Sequence, residues 1–117
     1  MNTNEVENQL KRISDSRPFR SSKRMKRFLE FTVRQALEGK SGELKEALVG
    51  VEVFDRPADY DPRLDPIVRV EARRLRQKIQ EYYATEGARD LVRIEYAKGG
   101  YAPAIARLER ESESGPV

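Results

Sequence analysis

Apolar residues recur along this chain at helical spacing and then, near its end, switch to alternation. Val6, Leu10 and Ile13 stand at steps of four and three, so residues 4–14 are expected to form a helix, with Asn4 and Glu7 spaced as a capping box. Pro18 disfavours helix in the residue before it and breaks this element. A second helix is expected from Ser21 or Ser22 to about Glu38. Its stripe is Met25, Phe28, Leu29, Thr32, Val33, Ala36 and Leu37, and Gly39 stands where a C-terminal cap belongs. Gly42 opens a short third element, Glu43 to Val49, which Gly50 punctuates before Val51-Glu52-Val53-Phe54. Residues 56–62 are turn-rich, and Asp61-Pro62 can start another helical turn.

The next stretch is the longest. Val68, Ala72, Leu75, Ile79 and Tyr82 follow at steps of four, three, four and three, one face of a helix expected from Pro66 to about Thr85. Asp65 can serve as its N-cap, and Pro66 fits the first helical position, where its missing N–H would be unbonded anyway. Gly87 stops it. Leu91 to Tyr96 then alternates apolar and charged residues, as a half-buried strand does. Lys98-Gly99-Gly100 is a hairpin turn, and Tyr101 to Ile105 returns as a second strand that Pro103 confines to an edge. The expectation is a mainly α domain over residues 4–107 with a C-terminal β-hairpin, and a disordered polar tail at residues 108–117.

Composition narrows the chemistry. The chain has 117 residues, enough for one small domain, with 38% hydrophobic and 37% charged residues. It has no cysteine and no histidine, which removes thiolate chemistry, the commonest metal ligand and the commonest general base. No glycine-rich phosphate loop or metal-ligand spacing is visible, and Asp59 and Asp61 sit in a turn as helix-capping acids. No catalytic residue, metal, cofactor or small-molecule site is expected. No apolar run approaches a membrane span of about 20 residues, and the first residues carry neither a basic nor an apolar leader segment. A cytoplasmic, nucleoid-associated protein is the expectation.

The net charge of +3 says little, but its distribution is polarised. Residues 17–34 carry a charge of +6 and residues 63–78 carry +4, with −4 over residues 43–61 between them. Two basic blocks around an acidic one suit a polyanion-binding surface, unless neighbouring blocks neutralise one another. Arg69, Arg73 and Arg76 repeat at helical spacing on a face beside the apolar seam, and guanidinium groups on a rigid helix suit phosphates and guanine edges in a major groove. Arg63 opens the same basic block and is a further candidate DNA contact. Arg20 and Lys23 flank Ser21-Ser22 at a helix start, where backbone N–H groups can hold a phosphate. For that first block a solvated helix end is an equal reading.

The order of elements is that of a winged helix-turn-helix: helices, a short bracing element, a long basic helix, then a glycine-tipped hairpin. Residues 68–79, followed by Val92-Arg93-Ile94 and Gly99-Gly100-Tyr101, resemble the C-terminal winged-helix domain of OmpR/PhoB-type response regulators. Residues 49–57, 60–62 and 65–76, with Tyr82-Tyr83 and Lys98-Gly99-Gly100-Tyr101, also resemble the winged-helix-like module that opens many bacterial signalling proteins with tetratricopeptide or cyclase-like regions. Two departures stand out. Helices replace the N-terminal strands of OmpR-type domains, and Ala97 stands where the second family usually has proline. The resemblance implies DNA contacts at Arg69, Arg73, Arg76 and Lys98. Arg74 also matches the motif, but Glu52 or Asp55 is expected to hold it against the protein.

The expected function is therefore sequence-specific binding of double-stranded DNA by a bacterial transcription regulator or a recombination accessory factor. Helix 65–85 would enter the major groove and residues 97–101 would touch the minor groove or backbone. One such module buries only roughly 600–1,000 Å² on DNA, so self-association on adjacent or repeated sites is expected. The alternative is a protein-interaction module that keeps the winged fold without binding DNA.

Overall fold

The computed structural model describes residues 2–108. Helix α1 spans Thr3–Ser14, α2 Lys23–Leu37, a 3-10 turn Ser41–Glu43, α3 Glu46–Phe54 and α4 Ile67–Ala84; strands β1 (Val92–Tyr96) and β2 (Pro103–Arg107) follow. The fold is mainly helical with a C-terminal two-stranded antiparallel hairpin. Most of the expected tail lies outside the described residues. Leu108, its first residue, instead continues the hairpin, donating its N–H to Leu91 O at 2.8 Å.

α1 begins earlier than expected. Asn2, not Asn4, caps it, its Oδ1 accepting from Glu5 N at 2.9 Å. The Asn-x-x-Glu spacing occurs twice in this segment, and the second glutamate, Glu7, is drawn instead to Arg34 of α2 at 2.7 Å. α2 starts as expected, with Ser22 Oγ accepting from Met25 N, and Gly39 follows its end at a φ of +77°.

Gly50 does not punctuate α3 but lies inside it. The side chain of Tyr60 folds back over it, so closely that a Cβ at position 50 would run into the ring. Tyr60 in turn donates to Asp65 O at 2.9 Å, which fixes the loop between α3 and α4. Glycine here serves close packing rather than a break. The helix ends one turn later, at Asp55 in a left-handed conformation (φ 56°). Arg27 holds that residue with a two-pronged contact, both oxygens at 3.1 Å, and also donates to Glu52 O.

α4 is one residue shorter than expected at each end. Pro66, not Asp65, takes the N-cap position, and Asp65 assists from one residue earlier, its Oδ1 accepting from Ile67 N and its Oδ2 from Arg56 Nε at 2.7 Å. Asp61 O accepts from Leu64 N and Asp65 N, the expected extra turn. β2 begins two residues later than expected, because Tyr101 and Ala102 pack against the core before pairing starts.

One core joins all elements. Phe19, Phe28, Leu29, Val33, Val49, Val68, Leu75 and Ile94 are essentially inaccessible to solvent. The seam expected on α4 (Val68, Ala72, Leu75, Ile79, Tyr82) is buried throughout. Two tyrosines attach the hairpin to it. Tyr83 Oη donates to Val92 O and accepts from Ile94 N, both at 2.9 Å, and Tyr96 Oη is bonded to Thr32 Oγ1 at 2.6 Å.

A polar knot closes the C-terminal end of α4 beside Tyr83. The Asp90 side chain, 5% exposed, accepts from Gln9 Nε2 at 2.9 Å, from Arg12 at 2.7 Å and from the Tyr82 hydroxyl. Burial, then the Asp90 hydrogen bond and charge, push the Tyr82 hydroxyl up from 10.0 to about 12. Burial likewise raises Tyr96. A phenol whose pKa is raised on folding stabilises the fold fully below its unfolded value. That contribution is lost as pH rises from about 10 through the folded value. Stability measured by urea denaturation is therefore expected to fall steeply between pH 10 and 12, and Tyr82→Phe to show a shallower fall over the same window.

Candidate nucleic-acid interface

The buried seam of α4 faces the core, so the helical period turns Val70, Arg73 and Gln77 to the opposite side, where all three are exposed. On the flank toward the hairpin lie Arg69, Arg76 and Gln80. Arg69, Ala72, Arg73 and Arg76 line a shallow cavity of about 250 Å³ with Lys98, Gly99 and Tyr101 of the hairpin turn. The turn is shaped for this. Gly100 N donates to Ala97 O at 3.1 Å, and Gly99 takes a φ of +84°, which a side chain would resist. Lys98 therefore projects at the tip. Burial, then the Glu46 carboxylate, raise the Tyr101 hydroxyl above its ordinary range.

The acidic block between the basic blocks decides which cations remain available. Glu46 takes Arg69 at 2.6 Å, with Pro62 O accepting from the same nitrogen at 3.1 Å. Asp61 takes Arg63 in a fork at 3.0 and 3.1 Å. Asp55 takes Arg27, and Asp65 takes Arg56. Among the described residues no carboxylate pairs with Arg73, Arg76 or Lys98.

Arg74 faces a partner other than the expected ones. Neither Glu52 nor Asp55 reaches it. Its partner is Glu71, one turn back on the same helix at 3.5 Å, an i,i+3 pair that the helix itself provides. Glu71 is 5% exposed and is also approached by Arg24 at 3.6 Å, whose guanidinium lies 5.7 Å from the centre of the Phe54 ring.

Arg20 and Lys23 are exposed. Arg20 shares a groove with Glu81, Thr85 and Glu86, on the flank of α4 away from the hairpin, where Arg17 N donates to Glu86 and Lys78 Nζ to Pro18 O. Of the amides at the α2 start, Met25 N is already taken by Ser22. The structure thus brings Arg69, Arg73, Arg76 and Lys98 to one place, and leaves Arg20 on another flank, beside acids.

No protein family, curated protein or solved structure matches this chain. Its chemistry is read from its own geometry. Among the described residues no group of carboxylates is placed to hold a metal ion, and no helix is long and apolar enough to cross a membrane. Three members of the candidate surface escaped the charge pattern: Gln77, Val70 and Tyr101. The first two were legible as the steps of three and four around Arg73. Tyr101 required the hairpin's fold-back onto α4.

Proposed function

We propose that this protein binds double-stranded DNA sequence-specifically, as a winged helix-turn-helix transcription regulator or recombination accessory factor. α3 braces α4, α4 enters the major groove, and Lys98 at the hairpin tip meets a phosphate or the minor groove. The observation that carries this reading is the convergence of Arg73, Arg76 and Lys98 on one outward surface while neighbouring arginines are neutralised by acids. Ion-paired arginines are suited to holding the fold; unpaired ones on a rigid helix are suited to phosphates and guanine edges. OmpR/PhoB-type function enters only through the sequence resemblance.

The test is selection of bound fragments from random DNA by the purified chain, followed by gel shifts of the enriched fragment at low and moderate salt. Enrichment of one motif and a shift at low salt support the reading. No shift at low salt overturns it and favours a protein-interaction module, for which the 83% exposed Leu64 on the α3–α4 loop is the supporting observation. Clustered repeats of the motif would support binding by two or more copies.

The Glu46–Arg69 pair gives a second handle on the same surface. Glu46→Gln should release Arg69 toward DNA, strengthen binding at moderate salt, and steepen the slope of log K against log salt by about one unit. Fluorescence anisotropy titrations at several salt concentrations measure that slope.

A further inference from the structure

Val70 has no evident role in folding. It is 43% exposed on a helix whose apolar seam is otherwise buried, and among the described residues the other large exposed apolar side chains, Leu64 and Leu108, lie off the helices. A β-branched residue is also a weaker helix former than the alanine or leucine that would serve a solvated position. Its placement is specific. It stands in the first turn of α4 on the outer face, one turn before Arg73 and two turns before Gln77, flanked by Arg69 and Arg74, which Glu46 and Glu71 neutralise. In a helix, valine holds essentially one χ1 rotamer, so its two methyl groups project in a fixed direction.

The major-groove edge of DNA offers one apolar group, the 5-methyl of thymine; its other groups are hydrogen-bond donors and acceptors. Resting on the DNA reading above, we propose that Val70 is a specificity-determining residue that packs on a thymine methyl, next to the base pair that Arg73 contacts. Three residues of helix advance about 4.5 Å. The rise of DNA is about 3.4 Å per base pair. The thymine therefore lies within two base pairs of Arg73's partner. The outer face of α4 then carries three complementary chemistries in a row: a methyl contact at Val70, a guanidinium fork at Arg73 and an amide at Gln77.

The experiment replaces each thymine of the selected fragment in turn by uracil, which lacks only the methyl group, and measures binding by the wild type and by Val70→Ala. One uracil should weaken the wild type about fourfold, the weight of one buried methyl. Val70→Ala should bind the thymine fragment more weakly by a similar factor and be indifferent to that uracil. Equal responses of the two proteins at every thymine overturn the inference while leaving DNA binding intact. The wild-type scan decides on its own if the variant fails to fold: no uracil-sensitive thymine within two base pairs of the position relaxed by Arg73→Ala is equally contrary. Failure of the wild type to bind any fragment at low salt overturns the DNA reading and this inference together.

Discussion

Arg73→Ala is expected to weaken binding to the preferred DNA fragment by about 1–3 kcal/mol and to relax selectivity at one base position. The magnitude follows from the site. Arg73 is exposed on the outer side of α4, no carboxylate among the described residues holds it, and it stands beside Arg76 and Lys98. Truncating it leaves the core seam untouched, so thermal unfolding should not change. Arg63→Ala is the matched control. That side chain is fully outside the cavity and already forked onto Asp61, so its loss should change affinity little and equally for all sequences. Equilibrium titration of both variants against the selected fragment and its single-base changes separates the two. A uniform loss across sequences for Arg73→Ala would make it a phosphate contact rather than a base contact.

The second large effect is on stability. Asp90→Ala is expected to destabilise the fold by about 1–3 kcal/mol, because it orphans the buried Tyr82 hydroxyl and leaves Gln9 Nε2 only its bond to Tyr83 Oη at 3.3 Å. Arg12 contributes less to the loss, since its own side chain is 63% exposed and can turn to water. Arg12→Ala should therefore cost markedly less than Asp90→Ala in urea denaturation. Below the unfolding transition both variants should retain wild-type DNA affinity, because the knot lies at the far end of α4 from Lys98. A matching loss of affinity in the folded variants would tie the knot to the binding surface.

The helices and hairpin were legible in the sequence because their signals are local. The seam on α4 and the alternation of β1 each repeat within one element, and both appear where the spacing puts them. What escaped was long-range. Gly50 reads as a break until Tyr60, ten residues on, is seen to occupy the space where its side chain would be. The capping box at Asn4 was displaced because Glu7 finds Arg34 in another helix. The candidate site divides in the same way. The arginine row follows from helical period alone, and glycine at the turn marks Lys98 as its tip. Which arginines the acids neutralise depends on how α3 lies against α4, and the pattern of residues 43–61 carries only their total charge. Arg69 and Arg73 look equivalent in the sequence, yet Glu46 separates them in the fold.

The central claim is that a surface built from Arg73, Arg76 and Lys98 with its neighbours binds DNA through charge and base contacts together. The salt dependence of affinity for the selected fragment tests it most directly, measured by fluorescence anisotropy from low to moderate salt. If about five basic side chains per copy meet phosphates, log K should fall against log salt with a slope near −4 to −5 per copy. Lys98→Ala should make that slope shallower by about one unit. A nearly flat slope, unchanged by Lys98→Ala, would contradict the account.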